Sequence, residues 1–129
     1  MLQPHENLIA WQRADDFCVA IFNLARHGLP SDERYELSSQ LRRAAFPVAA
    51  NIVEGYAFRE GPTRTRHLRI AVASLAEVGY GLHLAQRVGY LKQRDYTLLT
   101  EQMRRTAAPL HGLLKRSGMS SADSATRVR

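Results

Sequence analysis

Apolar residues recur at three- and four-residue spacing along most of this chain, and strand-like alternation of apolar and polar positions appears nowhere. The first segment is expected to run from about Asn7, a good N-cap, to His27, with Gly28-Leu29-Pro30 as the stop. Leu8, Trp11, Ala14, Cys18, Ile21 and Ala25 form its apolar stripe, broadened by Phe22 and Leu24. Cys18 on that stripe reads as a small hydrophobe rather than a reactive thiol. The second segment starts at Ser31 or Asp32, both good caps, and continues to Glu54, with Gly55 as the terminator. Its stripe is Leu37, Leu41, Ala44, Val48 and Ile52. Pro47 lies inside and is expected to kink this helix or break its hydrogen-bond ladder.

A third segment follows Gly61-Pro62 and runs from about Thr63 to Arg87, stopped at Gly89. One side, Leu68-Ala71-Leu75-Val78-Leu82-Ala85, suits a domain core. The other side, with Ile70, Ala73, Glu77 and Leu84, is also poor in charge. A helix apolar nearly all round needs cover on both sides. A small bundle covers only one, so a subunit interface is the expected source of the rest. The fourth segment, from Gln93 or Asp95 to Lys115, carries Tyr96, Leu99, Met103, Leu110 and Leu114, with Pro109 as a kink or a break. Short connections predict an all-α, antiparallel, up-and-down four-helix bundle over residues 1–116. Residues 117–129 read SGMSSADSATRVR, a polar and aperiodic stretch expected to be a mobile tail.

Composition narrows the class of protein. At 129 residues, with 45% hydrophobic and 23% charged, the chain is an ordinary single globular domain. One cysteine excludes an intramolecular disulfide. The amino terminus lacks a basic region before an apolar core, and no apolar run approaches the roughly 18 residues of a membrane span. A cytoplasmic protein with no membrane partner is the expectation. The formal net charge is +6, unevenly placed. Residues 1–54 hold five basic and seven acidic side chains, whereas residues 55–129 hold thirteen and five. Sixteen of the eighteen cations are arginine, the better residue for bidentate phosphate contacts. Two clusters follow: Arg59, Arg64, Arg66 and Arg69 around the start of the third helix, and Arg104, Arg105, Lys115 and Arg116 on the fourth. The first cluster also sits where free backbone amides favour anions. RNA or DNA, held through phosphates rather than bases, is the partner these clusters suit.

Catalytic signals are weak. No HExxH, paired Cys/His ligands, P-loop or nucleophile elbow occurs, so no metal, cofactor or catalytic residue is expected. Some helical ribonucleases place an arginine four to six residues from a histidine, and Arg105 and His111 have five residues between them. Six positions turn a straight helix by about 240°, so the two converge only if Pro109 re-aims His111. The polar residues inside apolar runs are more informative. Gln40, Arg43, Asn51, Glu54, Ser74 and Glu77 read as a structural polar network or interface, with Arg43 a candidate partner for Glu54 or Glu77.

Several ordered blocks resemble a family of bacterial four-helix-bundle proteins encoded in 23S rRNA intervening sequences. They are Trp11-Gln12 with Ala14, Gln40 with Arg43-Ala44, Asn51-Ile52 with Glu54-Gly55, Leu68 with Ala71, Ser74-Leu75 with Glu77, and Gly89-Tyr90-Leu91. The similarity covers about Leu8 to Leu114. Departures are Pro47 where the family usually has Ser, Ala49 where it often has Pro, Val53 where it favours Ala, and Ala73 where it favours Gly. The resemblance implies a homo-oligomeric ring, typically a pentamer, and no established enzymatic activity. Its wider group includes accessory proteins of diversity-generating retroelements, basic rings that bind nucleic acid and a reverse transcriptase. A non-enzymatic, nucleic-acid-binding oligomer is therefore the leading expectation, with a structural or protein-assembly role as the rival.

Overall fold

The computed structural model of the chain describes residues 3–30 and 34–127, and among these every regular element is helical. Helix α1 spans Ile9–Asn23 and passes into a π-helical turn at Leu24–Gly28. Helices α2 (Arg34–Ala57), α3 (Pro62–Arg87) and α4 (Gln93–Arg127) follow. Each helix packs on its neighbours in sequence, and α1 closes the bundle against α4. Cross-contacts fix the directions. The Ser38 hydroxyl donates to the Ala25 carbonyl at 3.1 Å, joining the start of α2 to the end of α1. Thr65 and Ser117 share a hydrogen bond at 2.5 Å, joining the start of α3 to the late turns of α4. The architecture is the expected antiparallel four-helix bundle.

The core is made of small and branched side chains at helical spacing. On α3 all six expected stripe residues are buried, and Thr65 extends the stripe toward the N-terminus. On α2 the buried set is Leu41, Ala44, Ala45, Val48 and Ile52, with Leu37 packed at its edge. On α1 the stripe is rotated from the expected one. Ala10, Ala14, Phe17 and Ile21 are buried, while Leu8, Trp11 and Cys18 only flank the core. Phe17 follows Asp15-Asp16 and adjoins Cys18, about 100° around the helix, and overlapping stripes that share Ala14 and Ile21 can take in either one. The larger ring takes the interior because it removes more apolar surface from water. Half-burial pushes the Cys18 thiol above its ordinary range, and the Asp15 carboxylate adds to the effect.

Helix boundaries depart from the sequence reading at three places. Helix α1 starts after Leu8, and neither that N-cap residue nor Asn7 supplies a side-chain cap. The predicted caps of α2, Ser31 and Asp32, lie outside the described residues. Its C-terminus passes through Gly55 to Ala57, because Gly55 serves close approach rather than termination. A Cβ there would stand 3.2 Å from the Cβ of His67 and 3.4 Å from the Arg64 carbonyl on α3. Helix α4 continues to Arg127 through the predicted polar tail, and Ser117 is buried at the Thr65 contact. The tail has no proline to stop a helix already propagating.

Other punctuation acts as the sequence suggests. Gly61 precedes α3 with Pro62 in its first turn. Gly89, at φ 84°, closes α3 with bonds from its own N–H to Gln86 and from the Tyr90 N–H to Ala85, the paired pattern that a left-handed glycine permits. Both Pro47 and Pro109 lie inside continuous helices. Pro47 leaves the carbonyl of Arg43 without its helical partner, and Arg43 is on the exposed side, where water can replace it.

The assignment of faces is testable by paired truncations. Leu82 is fully buried, and Leu98 on α4 is 61% exposed. Leu82→Ala is expected to cost about 2–5 kcal/mol in chemical denaturation, and Leu98→Ala no more than ~0.5 kcal/mol. Equal destabilisation by the two would overturn the assignment.

Candidate nucleic-acid interface

The basic clusters separate in space. The antiparallel α3–α4 pairing at Thr65 and Ser117 sets Lys115 and Arg116 at the same end of the bundle as Arg59, Arg64, Arg66 and Arg69. Arg104 and Arg105 lie about 15 Å away along α4, ten or more residues at 1.5 Å each. Both pair with Glu101, at 3.6 and 3.7 Å, and the Arg105 carbonyl accepts a bond from Arg13 at 2.9 Å. Arg105 therefore belongs to the α1–α4 seam, and neither residue belongs to the basic end. Arg105 and His111 stay about 240° apart around an α4 that continues through Pro109. The convergence that a ribonuclease pair needs is absent.

At the basic end Arg64 is committed to the fold. Its Nη2 donates to the Phe58 carbonyl at 2.8 Å and its Nε to the Gly55 carbonyl at 3.3 Å. Its guanidinium lies 4.0 Å over the Tyr56 ring. One cation thus satisfies carbonyls at the C-terminus of α2, where the helix dipole favours positive charge. The fork also turns the short connection to α3. Burial pushes the Tyr56 hydroxyl above its ordinary pKa, and the Arg64 and Arg116 charges partly oppose it. The charge of Arg116 on α4 thus reaches Tyr56 in the last turn of α2.

Arg59, Arg66, Arg69, Lys115 and Arg116 are exposed, and among the described residues none of them has an ion-pair partner. Arg66 and Arg69 are the fifth and eighth residues of α3, just past an opening turn that carries no acid. Five free cations on one end form a surface that attracts phosphates. Glu60 is the acidic residue within the α2–α3 connection.

The expected polar network divides in two. Asn51 and Glu54 meet at His67: the His67 Nδ1 lies 2.9 Å from Asn51 Oδ1 and 3.4 Å from Glu54 Oε2. The Asn51 amide also donates to the Pro47 carbonyl at 2.9 Å. Gln40 and Glu77 instead line a cavity of about 210 Å³ between α2 and α3, next to a second of about 620 Å³ reaching Tyr35, Val88 and Tyr90. Arg43 pairs with neither Glu54 nor Glu77 in this chain; all three are exposed, and Glu54 takes His67. Ser74 is half-buried, outside both groups. Sequence reasoning missed His67, Tyr56 and Phe58. The available signal was the α2–α3 hairpin itself: folding the chain back near Arg59 sets Asn51 opposite His67 and Glu54 opposite Arg64.

Among the described residues no cluster of His, Cys, Asp and Glu could hold a metal ion, and no helix is long and apolar enough to cross a membrane. A family model described as 23S rRNA-intervening sequence protein matches residues 6–112. A crystal structure of a protein of unknown function from the S23 ribosomal protein family of Bacteroides thetaiotaomicron VPI-5482 shares the fold, with a TM-score of 0.77 and 22% sequence identity. The likeness covers 83% of this chain and 99% of that one. No curated protein matches the chain.

The Arg64 clamp carries its own test. Arg64→Lys keeps the charge but loses the planar fork that reaches two carbonyls. It is expected to cost about 1–2 kcal/mol, read from the urea midpoint. An unchanged midpoint would show that the clamp does not support the fold.

Proposed function

The chain belongs to the 23S rRNA-intervening sequence protein family, and from that premise we propose that it is a non-enzymatic, self-associating module whose basic end holds the phosphate backbone of RNA or DNA without strong sequence preference. The family's function is uncharacterised. The observation that carries the proposal is the group of five exposed cations at one end that have no ion-pair partner among the described residues: Arg59, Arg66, Arg69, Lys115 and Arg116. Charges meant only for solubility are usually interspersed with the opposite sign. These gather at one end of the bundle, around the start of a helix whose amides favour anions. Arg64 supports the surface from beneath and is not counted as a phosphate contact.

A second reading, protein assembly, draws on α3. Its outward side carries Ile70, Tyr80, Leu84 and Val88, between 37% and 64% exposed, over a side of the helix that its own bundle leaves uncovered. The two readings are compatible, since a homo-oligomer would cover that side and repeat the basic end on every copy. Weak phosphate contacts on linked copies then combine through effective concentration. Five copies is the number the family resemblance favours.

Binding to mixed-sequence RNA and duplex DNA is expected to weaken steeply with salt as phosphate contacts release counterions. Changing Arg59, Arg66 and Arg69 to Gln is expected to reduce the slope of log affinity against log salt, by about one unit for each arginine that meets a phosphate. An unchanged slope would reject this surface, and no binding even at ~50 mM salt would leave the assembly reading alone. In light scattering, the pure protein is expected at several times its 14.5 kDa chain mass. A monomer at micromolar concentration would remove the self-association.

A further inference from the structure

Aromatic residues are sparse in the sequence and form no obvious platform, yet the fold assembles one at the basic end. Phe58 is 53% exposed on the connection between α2 and α3. Its ring lies parallel to that of His67 within 7°, with centroids 6.2 Å apart in an offset arrangement. Two residues earlier, Tyr56 carries the Arg64 guanidinium. Phe58 differs in surroundings from the exposed apolar residues of α3. Tyr80, Leu84 and Val88 share one side of a helix with other apolar groups, which suits a protein contact. Phe58 is flanked by Arg59 and held by Arg64, where an apolar partner would have to bury cations.

We propose that the exposed ring of Phe58 is a stacking site for an unpaired base of single-stranded nucleic acid, with Arg59 and Arg66, just past the first turn of α3, contacting the adjoining phosphates. The inference rests on the reading of the basic end as a phosphate-binding surface and adds strand selectivity to it. An aromatic face among arginines is the combination that single strands use, because every base has a stacking face and the backbone follows the cations. Bases inside a duplex are already stacked and cannot reach a ring on a loop. The site is also held in place. Arg64 pins the Phe58 carbonyl at 2.8 Å, and Asn51 and Glu54 fix His67, the ring against which Phe58 lies. Little ordering remains to oppose binding.

The test uses the full chain with a short single-stranded RNA carrying 2-aminopurine, and with a mixed-sequence RNA duplex. Binding is expected to quench 2-aminopurine as it stacks. Phe58→Leu is expected to lower single-strand affinity about five- to a hundredfold, the range set by loss of one base–aromatic stack. It should leave duplex affinity and both salt slopes unchanged, while Phe58→Trp retains single-strand binding and quenching. Equal weakening of both nucleic acids by Phe58→Leu, or no weakening of either, would overturn the stacking site. If Phe58→Leu is silent while the salt-dependent duplex binding persists, the stacking site alone falls. If the unaltered protein binds neither nucleic acid, the phosphate-binding reading falls and takes this inference with it.

Discussion

The close antiparallel seam between α2 and α3 is the constraint on which the rest of the molecule depends. It is made possible by missing side chains at both ends. A Cβ at Gly81 would stand 2.6 Å from a methyl carbon of Leu41, and one at Gly55 would press on the Cβ of His67. Leu41 and His67 use those spaces. Once the two helices are locked at these points, the pairing of every other position along them follows. Asn51 comes to His67 and Gly55 comes to Arg64. The polar end of the bundle is thus a result of packing geometry, since no local sequence motif specifies it.

The seam also divides the work of α3. Its inward stripe is completely buried and ties together α2 and α4, the two helices it touches. Its outward side keeps apolar groups that this chain does not cover, and its N-terminal turns carry free arginines. Core, apolar surface and part of the basic surface therefore lie on one rod of 26 residues. A ligand on the basic end and a neighbour on the apolar side would both act on a single element, within the span of one helix.

Periodicity made the bundle legible, and it was sharpest where one stripe was unambiguous. Six of the seven buried positions of α3 could be read directly, because the spacing of that stripe never slips; only Thr65, a polar residue, escaped the pattern. On α1 two overlapping stripes competed, and only three-dimensional packing chooses Phe17 over Cys18. Glycine was read as punctuation at Gly55 and Gly89, but only Gly89 has the left-handed backbone of a stop. At Gly55 the demand comes from a neighbouring helix, which local pattern does not contain. The basic end was legible as charge and illegible as structure. Nothing in the spacing of Arg64 marks it as a clamp, because its acceptors are main-chain carbonyls six and nine residues away. The aromatic ring at Phe58 gains its meaning only when His67 is brought beneath it.

The Arg64 clamp has a consequence for how the protein tolerates change in length. Surface connections are ordinarily where chains accept inserted residues, fused domains and new termini. The connection from Phe58 to Gly61 is short and exposed, and it resembles such a place. One guanidinium, however, spans carbonyls on both sides of the helix end, so an added residue would draw Phe58 away from Arg64 or shift Gly55 against His67. The turn after α3 is different: its main-chain bonds close within the eight residues from Leu84 to Leu91, and the side-chain bond across it is an exposed one between the amides of Gln86 and Gln93. Of the two hairpin ends bordering α3, the one with the local, self-contained turn is where a graft or a relocated terminus can enter without unlocking the bundle.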